Sequence, residues 1–386
     1  MTTRATRIAR AGFAALAVAM GIGRFAFTPL LPMMQGEGAL DVTQGGWLAS
    51  ANYVGYLAGG LSALRLRMSP RDAIRLGLAL VAISTGAMGV THSPWAWLAL
   101  RFVAGVASAW VLVFASAACL EAFQREPSAT RKGWLGAILY AGVGAGIALA
   151  GTACVALLIA GIRSNEAWLL LGAVSLAVAA LTWNRFDDAA STAPAAPREA
   201  SVWDAQTTRL VLCYGAFGFG YIIPATFLAA MARDAFPDPA VYGWSWPFFG
   251  AAAAASTFAA AAWSGRVSER ALWIAGHIVM AAGVTIPLAL PGLAGIMASA
   301  LLVGGTFMVV TMAGMQEARH VAGPRARRLI AAMTSSFAAG QIAGPLAVSL
   351  FAASGRGVAP ALVLAGAALV ASAFALSLPS PQPRIP

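Results

Sequence analysis

The sequence is poor in charge, in cysteine and in histidine. Only 10% of its 386 residues are charged, and it contains three cysteines and three histidines. Cys119, Cys154 and Cys213 lie within or beside apolar runs without paired spacing, so neither a disulfide framework nor a zinc site is expected. No Ser/His/Asp, Cys/His or phosphate-loop arrangement occurs at a shared depth, so we expect no enzyme, no metal and no cofactor.

Acidic residues are missing from the interior of every apolar run, although the chain has 14 of them. One arginine, Arg24, lies inside the first long run. An arginine at bilayer depth costs at least about 2.5 kcal/mol, so such charges are rare and usually face a wet cavity or a partner. Because no acidic partner is evident, Arg24 predicts an anion-binding site.

Long apolar runs are abundant in the chain, which has 60% hydrophobic residues and a mean hydropathy of +0.76. A membrane-spanning helix needs about 20 mainly apolar residues. We identify twelve such runs, which start near positions 11, 46, 73, 95, 133, 166, 208, 241, 271, 293, 328 and 358. The chain is therefore predicted to be an all-α polytopic membrane protein with twelve transmembrane helices.

The 25 Lys and Arg are distributed unevenly along these runs. With a cytoplasmic N-terminus, all of them border cytoplasmic ends except Arg24 and Arg101 within spans and Arg163, Arg233 and Arg356 outside. The positive-inside rule therefore predicts that both termini are cytoplasmic in a bacterial-type inner membrane. The net charge of +11 then indicates membrane lipids as partners, and no nucleic acid.

Residues 185–208 change in composition to charge, Ala and Pro, which predicts a flexible cytoplasmic linker between halves 1–184 and 209–386. A shift of 197 residues aligns the halves, pairing Gly21 with Gly218, Gly23 with Gly220, Met34 with Met231, Gly46 with Gly243 and Trp47 with Trp244. Two pseudo-symmetric six-helix halves with a site between them are typical of secondary transporters.

Residues 21–34, GIGRFAFTPLLPMM, resemble the helix-1 hallmark of the YbfB/YjiJ-type branch of the major facilitator superfamily. Residues 101–105, RFVAG, resemble the superfamily's Arg-x-x-x-Gly motif in helix 4. The resemblance covers essentially the whole chain and implies the major facilitator fold, transport by alternating access and a central cavity lined by helices 1, 4, 7 and 10.

Arg24 and Arg101 are predicted to lie roughly 15 and 9 Å below the outer surface, where they can share one space. Guanidinium groups match a carboxylate with two parallel hydrogen bonds, which favours a mono- or dicarboxylate cargo. Two structural alternatives remain open. Arg24 could instead bond carbonyls freed in a broken helix, and Arg101 could extend toward the outer interface.

Further substrate-binding candidates are polar or aromatic residues in the predicted spans: Asn52, Tyr53, Trp110, Tyr221, Thr306 and Gln341. Tyr221 occupies the repeat position equivalent to Arg24, so a charge and an aromatic hydroxyl face the same cavity, which suits an anion with an apolar body. Tyr56 and Tyr140 fit packing or interface positions better, and Thr306 and Gln341 also fit a helix-joining role.

The gating candidates are residues that can kink a helix or pair at the cytoplasmic ends: Pro29, Pro32, Arg65, Glu121, Arg266, Arg270 and Glu317. Pro29 and Pro32 should break or kink span 1. Glu121 and Glu317 end spans 4 and 10, in nearly equivalent places, and each can pair with the loop arginines of its half. The alternative is that both are solvated interfacial charges, because exposed ion pairs contribute only about 0 to 1 kcal/mol.

The leading hypothesis is a secondary active or facilitative transporter of a small organic anion, with Arg24 as its main binding residue. Coupling to protons stays open, because the spans hold no carboxylate at mid-depth. The alternative within transport is a multidrug or metabolite efflux pump driven by proton antiport. The alternative of another class is a non-transporting receptor or assembly subunit, and we expect a monomer.

Overall fold

The computed structural model describes residues 4–40, 42–186, 203–235, 243–263, 265–354 and 357–379. Within these ranges the regular structure is helical. The α-helices are α1 (Arg4–Leu16), α2 (Phe27–Gly36), α3 (Val42–Ala63), α4 (Pro70–Met88), α5 (Pro94–Phe123), α6 (Ala129–Ile159), α7 (Ser164–Thr182), α8 (Ala205–Ala235), α9 (Ser245–Ala261), α10 (Glu269–Ala289), α11 (Leu293–Ala322), α12 (Ala326–Ala353) and α13 (Ala359–Ser377).

Eight helical segments of the described residues are long and apolar enough to cross a membrane. One of them, Leu293–Phe351, contains both α11 and most of α12, which meet at a short 3₁₀ turn. The predicted all-helical membrane fold is confirmed. The number of twelve spans is not fixed by these eight segments and stays a prediction.

The helix pairs that pack within α1–α7 recur within α8–α13. In the first group, α3 and α4 both pack on α5, α4 packs on α7, and α1 packs on α6. In the second group, α9 and α10 pack on α11, α10 packs on α13, and α8 packs on α12. The two groups meet where α6 packs on α9 and α3 packs on α12. Most of the predicted linker, residues 187–202, lies outside the described residues.

Glycines in α6 allow this helix to approach two neighbours closely. A Cβ atom on Gly142 would lie 2.2 Å from the Phe13 carbonyl oxygen in α1, and one on Gly144 would lie 2.4 Å from the Ala254 nitrogen in α9. Helix association in membranes depends on such close backbone packing, because lipid gives no hydrophobic driving force. The glycines therefore hold α6 between the two groups.

The first span is interrupted, and the interruption precedes both prolines. α1 ends at Leu16, a π-helical turn covers Ala17–Ile22, and α2 begins at Phe27. Pro29 lies in the first turn of α2, where its missing N–H has little cost. It still removes the donor that would bond the Phe25 carbonyl, which accepts from the Thr28 N–H instead, at 3.2 Å. The break thus exposes backbone carbonyls around Arg24.

Candidate functional site

Arg24 lies in the turn between the π-helical segment and α2, and only 2% of its surface is exposed. One terminal nitrogen of its guanidinium donates a hydrogen bond to the side-chain oxygen of Gln341 in α12. The other terminal nitrogen and Nε have no hydrogen-bond partner. Arg24 and Gln341 therefore connect the two helix groups through a cation that keeps two free donors.

Four aromatic rings surround the Arg24 guanidinium. Its Cζ lies 3.8 Å from the centroid of the Tyr56 ring, 5.2 Å from that of Phe25, and 5.8 Å from those of Tyr53 and Phe337. The faces of these rings carry negative charge density, which attracts a cation. They stabilise the arginine without neutralising it.

Tyr56 is buried in the core, as a packing role predicts, and it also lies closer to Arg24 than Tyr53 does, a contact that sequence reasoning missed. Its ring is fully buried and its hydroxyl has no partner. The signal was in the spacing, because Tyr56 follows Asn52 by four residues on one face of α3. Phe337 precedes Gln341 by the same interval in α12, and sequence reasoning missed it as well.

Arg101 is buried and holds the interrupted helix. Its two terminal nitrogens donate to the carbonyl oxygens of Gly23 and Arg24, each at 3.1 Å, and its Cζ lies 4.8 Å from the centroid of Phe27. The alternative that Arg101 extends to the outer interface is wrong, because its exposed fraction is 3%. Arg101, rather than Arg24, bonds the carbonyls freed by the break.

Asn52 connects α3 to α5 beside this arrangement. Its Nδ2 donates to the Arg101 carbonyl at 3.0 Å, while its Oδ1 has no partner and the side chain is fully buried. The helices approach closely here, because a Cβ atom on Gly105 would lie 2.2 Å from the Asn52 carbonyl oxygen. Asn52 thus fixes the part of α5 that carries Arg101.

Tyr221 belongs to an aromatic cluster on the other side of Arg24. Its ring stacks on Phe307 with centroids 4.4 Å apart and planes at 8°, and it lies 5.8 Å from Phe337 at 18°. The Tyr221 hydroxyl is buried without a hydrogen-bond partner. Phe337 lies near both Tyr221 and Arg24, and the pairing of charge and aromatic hydroxyl in one cavity stays a prediction.

The polar atoms of Thr306 and Trp110 form hydrogen bonds with groups other than Arg24. The Thr306 hydroxyl donates to the Leu302 carbonyl of its own helix at 2.6 Å. The Trp110 Nε1 donates to the Ser62 hydroxyl in α3 at 2.8 Å. Both remain predictions as binding residues, but neither joins the recorded contacts of Arg24.

Several buried polar atoms without a hydrogen-bond partner belong to Arg24 and to the candidate residues of this site. They include Nε and one terminal nitrogen of Arg24, the hydroxyls of Tyr56 and Tyr221, Nε2 of Gln341, Oδ1 of Asn52 and Nε of Arg101. Buried polar groups normally have partners, so a group of exceptions calls for a ligand or water. Donors predominate in this group, which is the complement of an anion.

The described residues provide no acid to neutralise the two arginines. Ion pairs among them include Arg71 with Asp72, Arg131 with Glu126 and Arg270 with Glu317, whereas Arg24 and Arg101 form none within the described ranges. In the same ranges, no three His, Cys, Asp or Glu side chains come together as a metal site. The site is electropositive and suited to a negatively charged ligand.

The two predicted gating carboxylates differ in their surroundings. Glu317 accepts from Nε and a terminal nitrogen of Arg270 at 2.9 and 2.7 Å, and its side chain is 8% exposed. Glu121 is exposed and forms no ion pair within the described ranges. Arg65 and Arg266 are also exposed, and Arg65 lines a cavity of about 520 Å³ at the end of α3.

Comparison with known proteins gives a family and a fold. Residues 16–377 match the family model described as "Uncharacterised MFS-type transporter YbfB". The chain is 33% identical over 97 residues to the "Uncharacterized MFS-type transporter YceJ" of Bacillus subtilis (strain 168), a match that covers 24% of each chain. The structure of the human organic anion transporter MFSD10 superposes with a TM-score of 0.72 at 15% identity, covering 97% of this chain and 99% of that one.

Proposed function

Because the chain belongs to the YbfB-type family of transporters in the major facilitator superfamily, we propose that it carries a small organic anion across the membrane by alternating access. Arg24 is the anion-binding residue of this proposal. Transporters of this family and fold are generally not enzymes, and the charge and donor groups of the site serve binding alone.

The observation that carries the proposal is the state of the Arg24 guanidinium. It is buried at the interface of the two helix groups, has two free nitrogens and lacks an acidic partner within the described ranges. An arginine that only held the fold would be expected to use all its donors, because each buried donor without a partner costs about 1–3 kcal/mol. A carboxylate that displaces the Gln341 oxygen can accept from that terminal nitrogen and from one of the two free nitrogens, in two parallel charged hydrogen bonds.

The contacts of Arg24 support alternating access. The hydrogen bond to Gln341 joins an arginine of the first group to an amide of the second, so it breaks or reforms when the groups move apart. A cargo carboxylate would replace the Gln341 oxygen on Arg24. Arg101 and Asn52 would keep the Arg24 backbone in place during this exchange, because they bond the interrupted helix and α5.

The architecture of the proposal retains the predicted twelve spans, with halves 1–184 and 209–386 joined by the linker 185–208. The recurrence of the same helix pairs in both groups supports this division. Both termini are proposed to be cytoplasmic in a bacterial-type inner membrane, on the basis of the arginine distribution. Fusions of a reporter to each terminus and to the loop at Arg163 would test the orientation.

The function is tested by uptake into proteoliposomes across a panel of mono- and dicarboxylates, with and without a pH gradient. We expect saturable uptake in the wild type and its loss in Arg24→Gln. Arg24→Lys keeps the charge without the planar fork, so we expect weaker uptake than in the wild type. Arg10→Gln, at an exposed arginine of the same span, is the matched control and should transport normally.

The same experiment separates the alternatives. A pH gradient that drives uptake would establish proton coupling, whereas its lack of effect would leave exchange or facilitated diffusion. Absence of carboxylate uptake together with increased drug resistance on overexpression would favour proton-driven efflux. Absence of both activities in folded protein would favour a receptor or assembly subunit and would reject the proposal.

A further inference from the structure

We propose that the cargo is a monocarboxylate with a planar aromatic ring, which rests on the proposed function. The basis is an aromatic cluster in which Phe25 and Phe337 lie within 6 Å of the Arg24 Cζ. The other rings of the cluster are Tyr221, Phe307, Phe249 and Trp246. Every ring in this cluster is at most 8% exposed. The cluster supplies the surface for the cargo body, and Arg24 supplies the site for its carboxylate.

The rings in the cluster offer their faces in parallel. Tyr221 and Phe307 stack at 4.4 Å with an interplanar angle of 8°, and Trp246 and Phe249 stack at 5.1 Å with an angle of 7°. Phe337 lies nearly parallel to Tyr221, at 18°. Aromatic rings attract one another beyond their buried area when they stack with an offset or meet edge to face. A flat ring beside Phe337 would continue the stack that Tyr221 and Phe307 begin.

The cluster spans the interface that opens in alternating access. Phe25 belongs to the first helix group, and it meets Phe307 edge-on at 6.0 Å and Trp246 at 6.1 Å in the second group. Separation of the groups would therefore part these rings and expose the faces of the second group. A cargo ring that inserts there restores the lost aromatic contacts, which an alkyl chain does only in part.

The distance between charge and rings fits one small molecule. The centroid of Phe337 lies 5.8 Å from the Arg24 Cζ and 5.8 Å from the centroid of Tyr221. A carboxylate on Arg24 thus lies within one or two bonds of a ring held at Phe337. The free Nε2 of Gln341 can donate to the same carboxylate, and the free Tyr221 hydroxyl can pair with a polar substituent on the cargo ring.

The hydrogen bonds that Arg101 donates to the backbone favour a cargo with a single negative charge. Both terminal nitrogens of Arg101 bond backbone carbonyls of the interrupted helix, at 3.1 Å each. A dicarboxylate would have to take Arg101 from these carbonyls to pair its second charge, or would bury that charge among the rings. Either arrangement is unfavourable, so of the two cargo classes expected from the sequence, a monocarboxylate fits better than a dicarboxylate.

The test measures binding of three acids to the purified chain in nanodiscs: phenylacetate, cyclohexylacetate and succinate. Phenylacetate and cyclohexylacetate share charge and carbon count and differ in the planar ring. We expect phenylacetate to bind roughly 2- to 12-fold more tightly than cyclohexylacetate, as expected for one aromatic contact. We expect succinate to bind more weakly than both.

Two variants test whether the aromatic cluster causes the preference for phenylacetate over cyclohexylacetate. Phe307→Leu should bring the affinities for phenylacetate and cyclohexylacetate together, while Phe374→Leu, at a ring 68% exposed on α13, should keep the wild-type ratio. If Phe307→Leu does not fold, the ratio of the wild-type affinities for phenylacetate and cyclohexylacetate alone tests the preference for an aromatic ring. Equal binding of the two ring acids, or succinate binding as tightly as phenylacetate, would overturn this inference and leave the proposed function standing. Failure of all three acids to bind would overturn both.

Discussion

The two helix groups place different chemistry at equivalent positions. In the first group, Arg24 lies in an interrupted span and Arg101 bonds the carbonyls of the break. In the second group, Tyr221 and Ala298 occupy the positions 197 residues later, and α8 continues as a helix from Ala205 to Ala235. This helix is continuous although Pro224 lies inside it, and the second group has no arginine at either of these two positions. The first group thus supplies the charge, and the second supplies most rings of the aromatic cluster.

The ends of the two groups differ in the same way. The second group has the buried pair of Glu317 and Arg270, whereas Glu121 in the first group is exposed. The division between an electropositive group and an aromatic group therefore extends to the charges that hold each group together. Four substitutions compare the groups, and the expected effect decreases from the first to the last.

Replacement of Arg101 by Leu should have the largest effect on stability. It leaves the carbonyls of Gly23 and Arg24 without their donors, and we expect a loss of about 3–6 kcal/mol, since hydrogen bonds to charged groups contribute about 1.5–3 kcal/mol each. Ala298→Leu in the second group should change stability by less than half as much. Thermal unfolding in detergent measures both. Equal losses would contradict the assignment of Arg101 as the residue that holds the break.

Replacement of Arg24 by Gln should lower transport efficiency by about 10- to 100-fold, as expected for loss of a charged hydrogen bond. Tyr221→Phe, at the equivalent position, removes one hydroxyl and keeps the stacked ring, so the expected loss is less than about tenfold. Initial uptake rates in proteoliposomes give the comparison. If Tyr221→Phe were the more damaging change, the charge would not be the principal binding group.

Replacement of Glu317 by Gln should destabilise the protein by about 1–2 kcal/mol, because it weakens two hydrogen bonds from Arg270. Glu121→Gln should change stability by at most about 0.5 kcal/mol, as for an exposed residue. Spin labels at Leu61 in α3 and Arg328 in α12 would report whether the two groups separate more often. Unchanged distances in both variants would reject a gating role and leave a structural one.

Replacement of Asp204 by Ala should have the smallest effect. Its carboxylate accepts from the Thr207 N–H at 2.7 Å ahead of α8, and loss of such a cap costs about 1 kcal/mol. The Thr207 backbone hydrogen bond lowers the pKa of Asp204. The contribution is therefore present above the ordinary pKa of an aspartate and is lost as the pH falls through the lowered value. Helix α1 has no acid in its first turn, so this contribution has no equivalent at the start of the first group.

Thermal unfolding at neutral and acidic pH tests this prediction. The wild type should lose stability relative to Asp204→Ala as the pH decreases, and the two should converge once the carboxyl is protonated. A difference that stays constant over the whole range would exclude a charged cap. Thr207→Val is the matched variant, because it keeps the backbone N–H and removes only the hydroxyl.

The sequence predicted the parts of the site that depend on local composition. Arg24 was identified because a charge without an acid in an apolar run is unfavourable, and Tyr221 because of the repeat. Tyr56 and Phe337 were available from the four-residue spacing to Asn52 and Gln341, but spacing alone does not tell which face of a helix meets an arginine. Arg24 and Gln341 are 317 residues apart, and no local pattern relates them.

The sequence by itself determined the membrane class, the all-helical fold and the position of an unusual arginine. These follow from hydropathy and from the high cost of charge in lipid, which act on short stretches of chain. Only the tertiary structure decided that Arg101 bonds the broken helix while Arg24 keeps free donors beside an aromatic cluster. The physical reason is that a buried donor takes whichever acceptor the packing brings near. Packing of α3, α5 and α12 around the interrupted span is a property of the whole chain.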